Sequence, residues 1–138
     1  MGERVRFVVP GEPKGKGRPR FSTAGKYPKA VTPEETASYE NLIKVLYMEG
    51  GFPKLEGAVR MEITAYFKVA SSASKKRKAA MLIGEEKCMK KPDADNIVKC
   101  VADGLNGVAY DDDKQIVELE IKKLYGTTPQ VIVELMEI

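Results

Sequence analysis

Between Val59 and Val69 the chain alternates without a break: Val59, Met61, Ile63, Ala65, Phe67 and Val69 fall on one side, and Arg60, Glu62, Thr64, Tyr66 and Lys68 on the other. Successive side chains leave a strand in opposite directions, so this stretch is a half-buried strand with one covered face. Residues 4–9 repeat the pattern, with Val5, Phe7 and Val9 opposing Arg4 and Arg6. So does the stretch in which Val117, Leu119 and Ile121 alternate with Glu118, Glu120 and Lys122. Gly126 to Pro129 then turn the chain into a last strand at 130–137, which predicts that the final two strands form a hairpin.

Helical periods separate these strands. Tyr39, Leu42, Ile43, Leu46 and Tyr47 make one apolar stripe, with Thr32 and Glu35 as a capping box, Pro33 at the first helical position and Gly50–Gly51 as the stop. Ser74 caps a short helix ending near Gly84, and its first turn is Lys75, Lys76, Arg77 and Lys78. Four cations there oppose the helix dipole, a local cost that a bound phosphate chain would relieve. A third helix runs from Asp95, with Ile97, Cys100, Val101, Leu105 and Val108 at helical spacing and Gly107 as a stop. Ahead of the first helix, Gly11, Pro13, Gly15, Gly17 and Pro19 break any regular element and predict a loop threaded by Lys14, Lys16, Arg18 and Arg20.

This order of elements predicts an α/β (α+β) fold, a small mixed or antiparallel four-stranded sheet covered by about three helices, in a single domain over residues 1–138. A chain of this length buries roughly 68% of its unfolded surface, so it needs neither a disulfide nor a metal to fold.

The sequence contains no histidine, and its two cysteines, Cys88 and Cys100, are not in CxxC spacing. That excludes zinc fingers, HNH-type nucleases, Ser-His-Asp triads and any histidine general base. A metal here has oxygen ligands, meaning Mg²⁺, Mn²⁺ or Ca²⁺. The apolar run Phe7–Val9 is too short for a signal-peptide core and no stretch approaches membrane length, so the expectation is a cytoplasmic protein with no membrane partner. The net charge of +3 is unevenly spread. Residues 1–30 carry eight basic and two acidic side chains, residues 74–91 seven and two, and residues 111–138 three and seven. Basic segments beside an acidic cluster suit a surface that grips a polyanion and presents carboxylates to a cation.

The stretch KPDADNIVKCVADGLNGVAYDDDKQI, from Lys91 to Ile116, is the most specific. Asp93 and Asp95 stand two apart before a helix, and Asp112 and Asp113 stand at its far end, where a strand begins. Carboxylates brought close repel one another unless a cation compensates, and Mg²⁺ is typically held by one or two of them. The two ends meet only if the sheet brings them together. Lys99, Asp103 and Asn106 share one helical face, from which a lysine can stabilise charge on a phosphate transition state. By spacing alone, plainer alternatives stand: Asp95 as an N-cap, Asp111–Asp113 as a solvated turn, and Asp95–Lys99–Asp103 as a surface ladder. An EF-hand is poorly supported, because the position-six glycine of its loop is replaced by Val98 or Ile116. Pro92-Asp93 with Glu120-Ile121-Lys122 also spells a PD-(D/E)xK nuclease pattern.

The run Asp93-Ala-Asp95-Asn96, then Lys99, Asp103 and Tyr110, then Asp112-Asp113-Lys-Gln115-Ile116, resembles the signature of the RusA family of Holliday junction resolvases, common in bacteria and their prophages. Lys16-Gly-Arg18-Pro-Arg20-Phe21 is similar to the family's basic entry segment. The resemblance implies a crossover junction endodeoxyribonuclease of DNA recombination and repair, a homodimer that binds four-way junctions and makes paired nicks using Mg²⁺, with Mn²⁺ as a possible substitute. Carried over by position, Asp93, Asp95 and Asp113 are its metal carboxylates with Asp112 adjacent, and Lys99 supports catalysis. Lys14, Lys16, Arg18, Arg20, Lys75, Lys76, Arg77 and Lys78 would then line the DNA path. The rival of a different class is a branched-DNA-binding module without enzymatic activity.

Overall fold

A computed structural model describes residues 2–16 and 34–138 in full, and the backbone of 20–22 and 29–31. Strand β1 (Arg4–Pro10) is followed by two short strands, β2 (Arg20–Ser22) and β3 (Lys29–Val31), then helix α1 (Glu34–Glu49) and strand β4 (Val59–Lys68). Helices α2 (Lys75–Leu82) and α3 (Ala94–Leu105) come next, then a 3₁₀ turn at Asp113–Gln115 and strands β5 (Ile116–Gly126) and β6 (Gln130–Glu137). The Thr32 and Pro33 start signals of α1 lie outside the described residues.

The four long strands form one mixed sheet in the order β1-β6-β4-β5. The period-two pattern sets its two faces. Val5, Phe7 and Val9, Met61 to Phe67 at alternate positions, and Val131, Val133 and Leu135 are all buried on one side. Helices α1 and α3 pack on that side and on each other. Fully burying a side chain such as Ile97 or Leu105 stabilises the fold by roughly 1.5–3 kcal/mol. On the opposite face Arg60 reaches Glu62, Glu118 and Glu120 at 3.0, 3.3 and 3.4 Å.

One expectation fails here. The last two strands are not a hairpin: β4 lies between them, antiparallel to β6 and parallel to β5. The most continuous apolar strand, β4, takes an interior place between β6 and β5, while β5, which has no buried residue, is left at the edge. The link from β5 to β6 steps over the end of β4. There the Val69 N–H donates to the Gly126 carbonyl at 3.3 Å, and a Cβ on Gly126 would come within 3.1 Å of the Tyr66 ring. Residues 11–16 of the entry segment are irregular, as their glycines and proline predict, Gly17 and Pro19 lie outside the described residues, and only the last expected loop residue, Arg20, instead opens the antiparallel pair β2-β3.

Helix α2 starts where its cap signal places it, with the Ser74 hydroxyl accepting from the Arg77 N–H at 3.2 Å. Gly104 lets α1 and α3 approach closely, since a Cβ there would stand 3.0 Å from the Glu40 carbonyl oxygen.

Candidate active site

Helix α3 begins one residue before the sequence pattern puts it. Its N-cap is Asp93, in extended conformation, and Asp95 sits in the first turn. The Asp93 carboxylate makes no capping bond, so capping does not account for it, and Asp95 is not the cap.

The far end of α3 returns tightly. The Asn106 N–H donates to Asp103 rather than to Ala102, four residues back, and the fully buried Tyr110 hydroxyl fills the vacant place on the Ala102 carbonyl at 2.7 Å. Gly107, at φ +84°, donates its N–H to the Tyr110 carbonyl at 2.8 Å. This reversal delivers the acidic run beside the helix it has just left.

Within that run the three aspartates part company. Asp111 is exposed and pairs with Lys54 at 2.5 Å. Asp112 caps the 3₁₀ turn, its side chain accepting from the Lys114 N–H at 3.0 Å. The Gln115 side chain closes the capping box, accepting from the Asp111 and Asp112 N–H groups and donating to the carbonyls of Leu55 and Gly57. Asp113 then faces α3. It shares a groove of about 600 Å³ with Asp95 and Lys99, floored by Val98, Ala102, Ile116, Leu119 and Ile121. The solvated-turn alternative thus holds for Asp111, and Asp112 serves as a cap.

The electrostatics mark Asp113 out. Its hydrogen bond with Asp112, partial desolvation and the nearby Asp112 and Asp103 charges push its carboxyl above the ordinary aspartate range, and Lys99 only partly opposes them. The backbone N–H of Lys114 and the bond to Asp113 hold Asp112 below that range.

Asp93 opens instead on a second cavity of about 620 Å³, with Lys14, Gly15, Lys16, Lys91 and Asn96 among its walls. Among the described residues no three acidic or cysteine side chains converge on one cation-sized point. The donor set still fits a hard divalent ion. Asp95 and Asp113 supply two carboxylates across one groove, Mg²⁺ commonly takes one or two and keeps several waters, and both cysteines are buried away from solvent.

The basic residues divide as well. Lys75 and Lys76 are exposed and, with Lys78, have no acidic partner among the described residues, on a helix packed against β5. Arg77 is held by both carboxylate oxygens of Glu86, at 2.9 and 3.1 Å. Lys14 pairs with the exposed Glu35 at 2.6 Å. Lys16 is bound to Glu40 at 2.6 Å and to Asp103 at 3.1 Å. The side chains of Arg18 and Arg20 lie outside the described residues. Lys99 stands 4.0 Å from Asp103, the weak ladder contact its spacing predicts. Glu40 is the participant the sequence hid: it lies on a helix whose pattern is explained by core packing, and only the approach of α1 to α3 brings it to Lys16.

Glu120 and Lys122 pair with each other at 3.7 Å on the sheet face opposite the groove, which Leu119 and Ile121 line from the same strand. The PD-(D/E)xK pattern therefore does not assemble beside Asp95 and Asp113.

Residues 10–136 match the family described as endodeoxyribonuclease RusA. The chain belongs to the RusA family. It is also 33% identical over 138 residues to the uncharacterized protein YqaN of Bacillus subtilis (strain 168), covering 97% of this chain and 96% of that protein. Among the described residues no helix is long and apolar enough to cross a membrane.

Proposed function

We propose that this RusA-family protein is a Mg²⁺-dependent endodeoxyribonuclease that resolves four-way DNA junctions by paired symmetric nicks, as a homodimer, in DNA recombination and repair. The observation that carries the reading is the convergence of Asp95, Lys99 and Asp113 on one groove from two separated parts of the chain. Asp95 and Asp113 would hold the ion, with Asp112 capping the turn that presents Asp113, while Asp93 lines the neighbouring cavity. When bound, Mg²⁺ supplies Lewis acidity toward a scissile phosphate. Lys99, exposed at the groove, offsets negative charge that builds on the phosphate in the transition state.

Lys75, Lys76 and Lys78, unpaired among the described residues, are free for phosphate contact, whereas Arg77 is committed to Glu86. The dimer is supported by the outer edge of β5, which no strand covers among the described residues and on which Val117 is 60% and Leu119 46% exposed. Two-fold symmetry would supply two equivalent sites for two symmetric cuts.

The absence of a three-carboxylate cluster among the described residues favours one other reading, a branched-DNA-binding module that does not cut. A labelled four-way junction separates the two. The nuclease binds it in Ca²⁺ or EDTA and nicks it in paired strands once Mg²⁺ is added; a binding module retains it intact in every metal.

A further inference from the structure

Among the basic residues expected to touch DNA, Lys16 stands apart. Its side chain is 19% exposed, and its ammonium lies between Glu40 and Asp103, which are themselves 19% and 24% exposed. Lys14, by contrast, meets a largely exposed Glu35. Burial alone would push the Lys16 ammonium down, yet its bonds to Glu40 and Asp103 outweigh that and hold it above the usual lysine range. The backbone is fixed too. The Lys16 N–H donates to the Asn96 carbonyl at 2.9 Å, and Gly15 lies so close to Pro92 and Asn96 that a Cβ would come within 2.7 and 2.9 Å of theirs. A phosphate could reach this ammonium only by stripping it from partly desolvated carboxylates, which are costly to leave unpaired.

The contacts continue toward the groove. Asp103, held by Lys16, is one helical turn beyond Lys99 and within electrostatic reach of Asp113. Glu40, Lys16, Asp103 and Lys99 form an alternating row with no net charge. We propose that Lys16 is a positioning residue and not a DNA contact: by holding Asp103 it leaves Lys99 free to face the Asp95–Asp113 groove. Without Lys16, Asp103 loses its nearer cation and recruits Lys99. Lys99 is 63% exposed, so little opposes its withdrawal from the groove.

The proposal rests on the nuclease reading, and its test keeps the two apart. Lys16→Met, Lys16→Arg, Glu40→Gln, Asp103→Asn and the Lys16→Met/Asp103→Asn double variant are compared with wild type, well below their melting temperatures. Junction affinity is measured against salt in EDTA, and single-turnover cutting at saturating junction and Mg²⁺. Lys16→Met is expected to keep the wild-type salt slope but to cut roughly 10- to 100-fold more slowly, the usual cost of removing a residue that orients a direct participant. Lys16→Arg restores most of the rate, and Glu40→Gln loses less than Lys16→Met. The double variant is expected to recover most of the rate, because an uncharged residue 103 no longer draws Lys99 from the groove, and a double variant as slow as Lys16→Met overturns the proposal. Should Lys16→Met not fold, Lys16→Gln carries the rate test, and Asp103→Asn alone is expected to cut near the wild-type rate. A salt slope smaller by about one makes Lys16 a phosphate contact and overturns the proposal. So does an unchanged cutting rate in Lys16→Met beside an active wild type. Wild type that binds but never cuts refutes the nuclease reading instead, and the salt slope alone then decides whether Lys16 touches DNA.

Discussion

Replacing Gly15 by alanine tests whether the entry segment is packed onto α3. The Gly15 backbone is not in the left-handed region, so the added methyl brings no conformational strain. The penalty comes from space: the new Cβ would lie 2.7 Å from the Pro92 Cβ and 2.9 Å from the Asn96 Cβ, closer than such carbons approach. Both neighbours are backbone-proximal atoms that cannot swing away, so the loop must lift. Overpacking of this kind costs about 1–3 kcal/mol. Lifting the loop also strains the 2.9 Å bond from the Lys16 N–H to Asn96, for about 1 kcal/mol more. Reduced freedom of the unfolded chain returns about 0.4–1 kcal/mol. The net expectation is a loss of roughly 2 kcal/mol, or about 6–10 °C in melting temperature for a chain of this size. Urea unfolding should show a lower midpoint at unchanged slope. A loss below about 0.5 kcal/mol, within the range of an unconstrained surface site, would refute the packing of this segment on α3 and weaken the Lys16 argument with it.

Tyr110→Phe removes the hydroxyl that fills the vacant Ala102 carbonyl and should cost about 1–3 kcal/mol in chemical denaturation, with little change in junction affinity. Asp113, raised by its bond to Asp112, takes up a proton at a pH above the ordinary aspartate value of 3.8. A raised carboxyl favours folding below the unfolded pKa, and that contribution is lost as pH rises through the folded one, where the Asp112–Asp113 repulsion sets in. Stabilisation by added Mg²⁺ should therefore be largest at neutral pH and fade on acidification before ordinary aspartates titrate; melting curves at a series of pH values check it, and Asp113→Asn should abolish the gain. Changing Lys75, Lys76 and Lys78 together to alanine should weaken junction and duplex binding alike and lower the salt slope by up to about three.

Much of the fold was legible because its strands obey a strict period. The inward positions of β1 and β4 are those that alternation selects, and the α2 cap at Ser74 is where a capping residue precedes a helical run. Pairing was not legible. Period two assigns Leu119 and Ile121 to a face but does not say which strand lies beside them, and a short turn favours a hairpin unless a better-buried strand takes the place between. The site divides in the same way. The spacing of Asp93, Asp95 and Asp113 marks an acidic constellation, but only the return of the chain through Tyr110 puts Asp113 across from Asp95. Spacing could not tell that Asp111 turns to Lys54, or that Lys16 of the entry segment belongs with Glu40, a residue 24 positions away on α1.

The most direct test of the central claim is single-turnover cleavage of a four-way junction in Mg²⁺ by wild type, Asp95→Asn, Asp113→Asn, Asp111→Asn and Glu120→Ala, each first shown to bind the junction in EDTA. Paired nicks by wild type, Asp111→Asn and Glu120→Ala, with cutting by Asp95→Asn and Asp113→Asn reduced by on the order of 100-fold or more, would place catalysis in the groove between α3 and β5. Cutting that survives both groove substitutions, or collapses with Glu120→Ala, would contradict it.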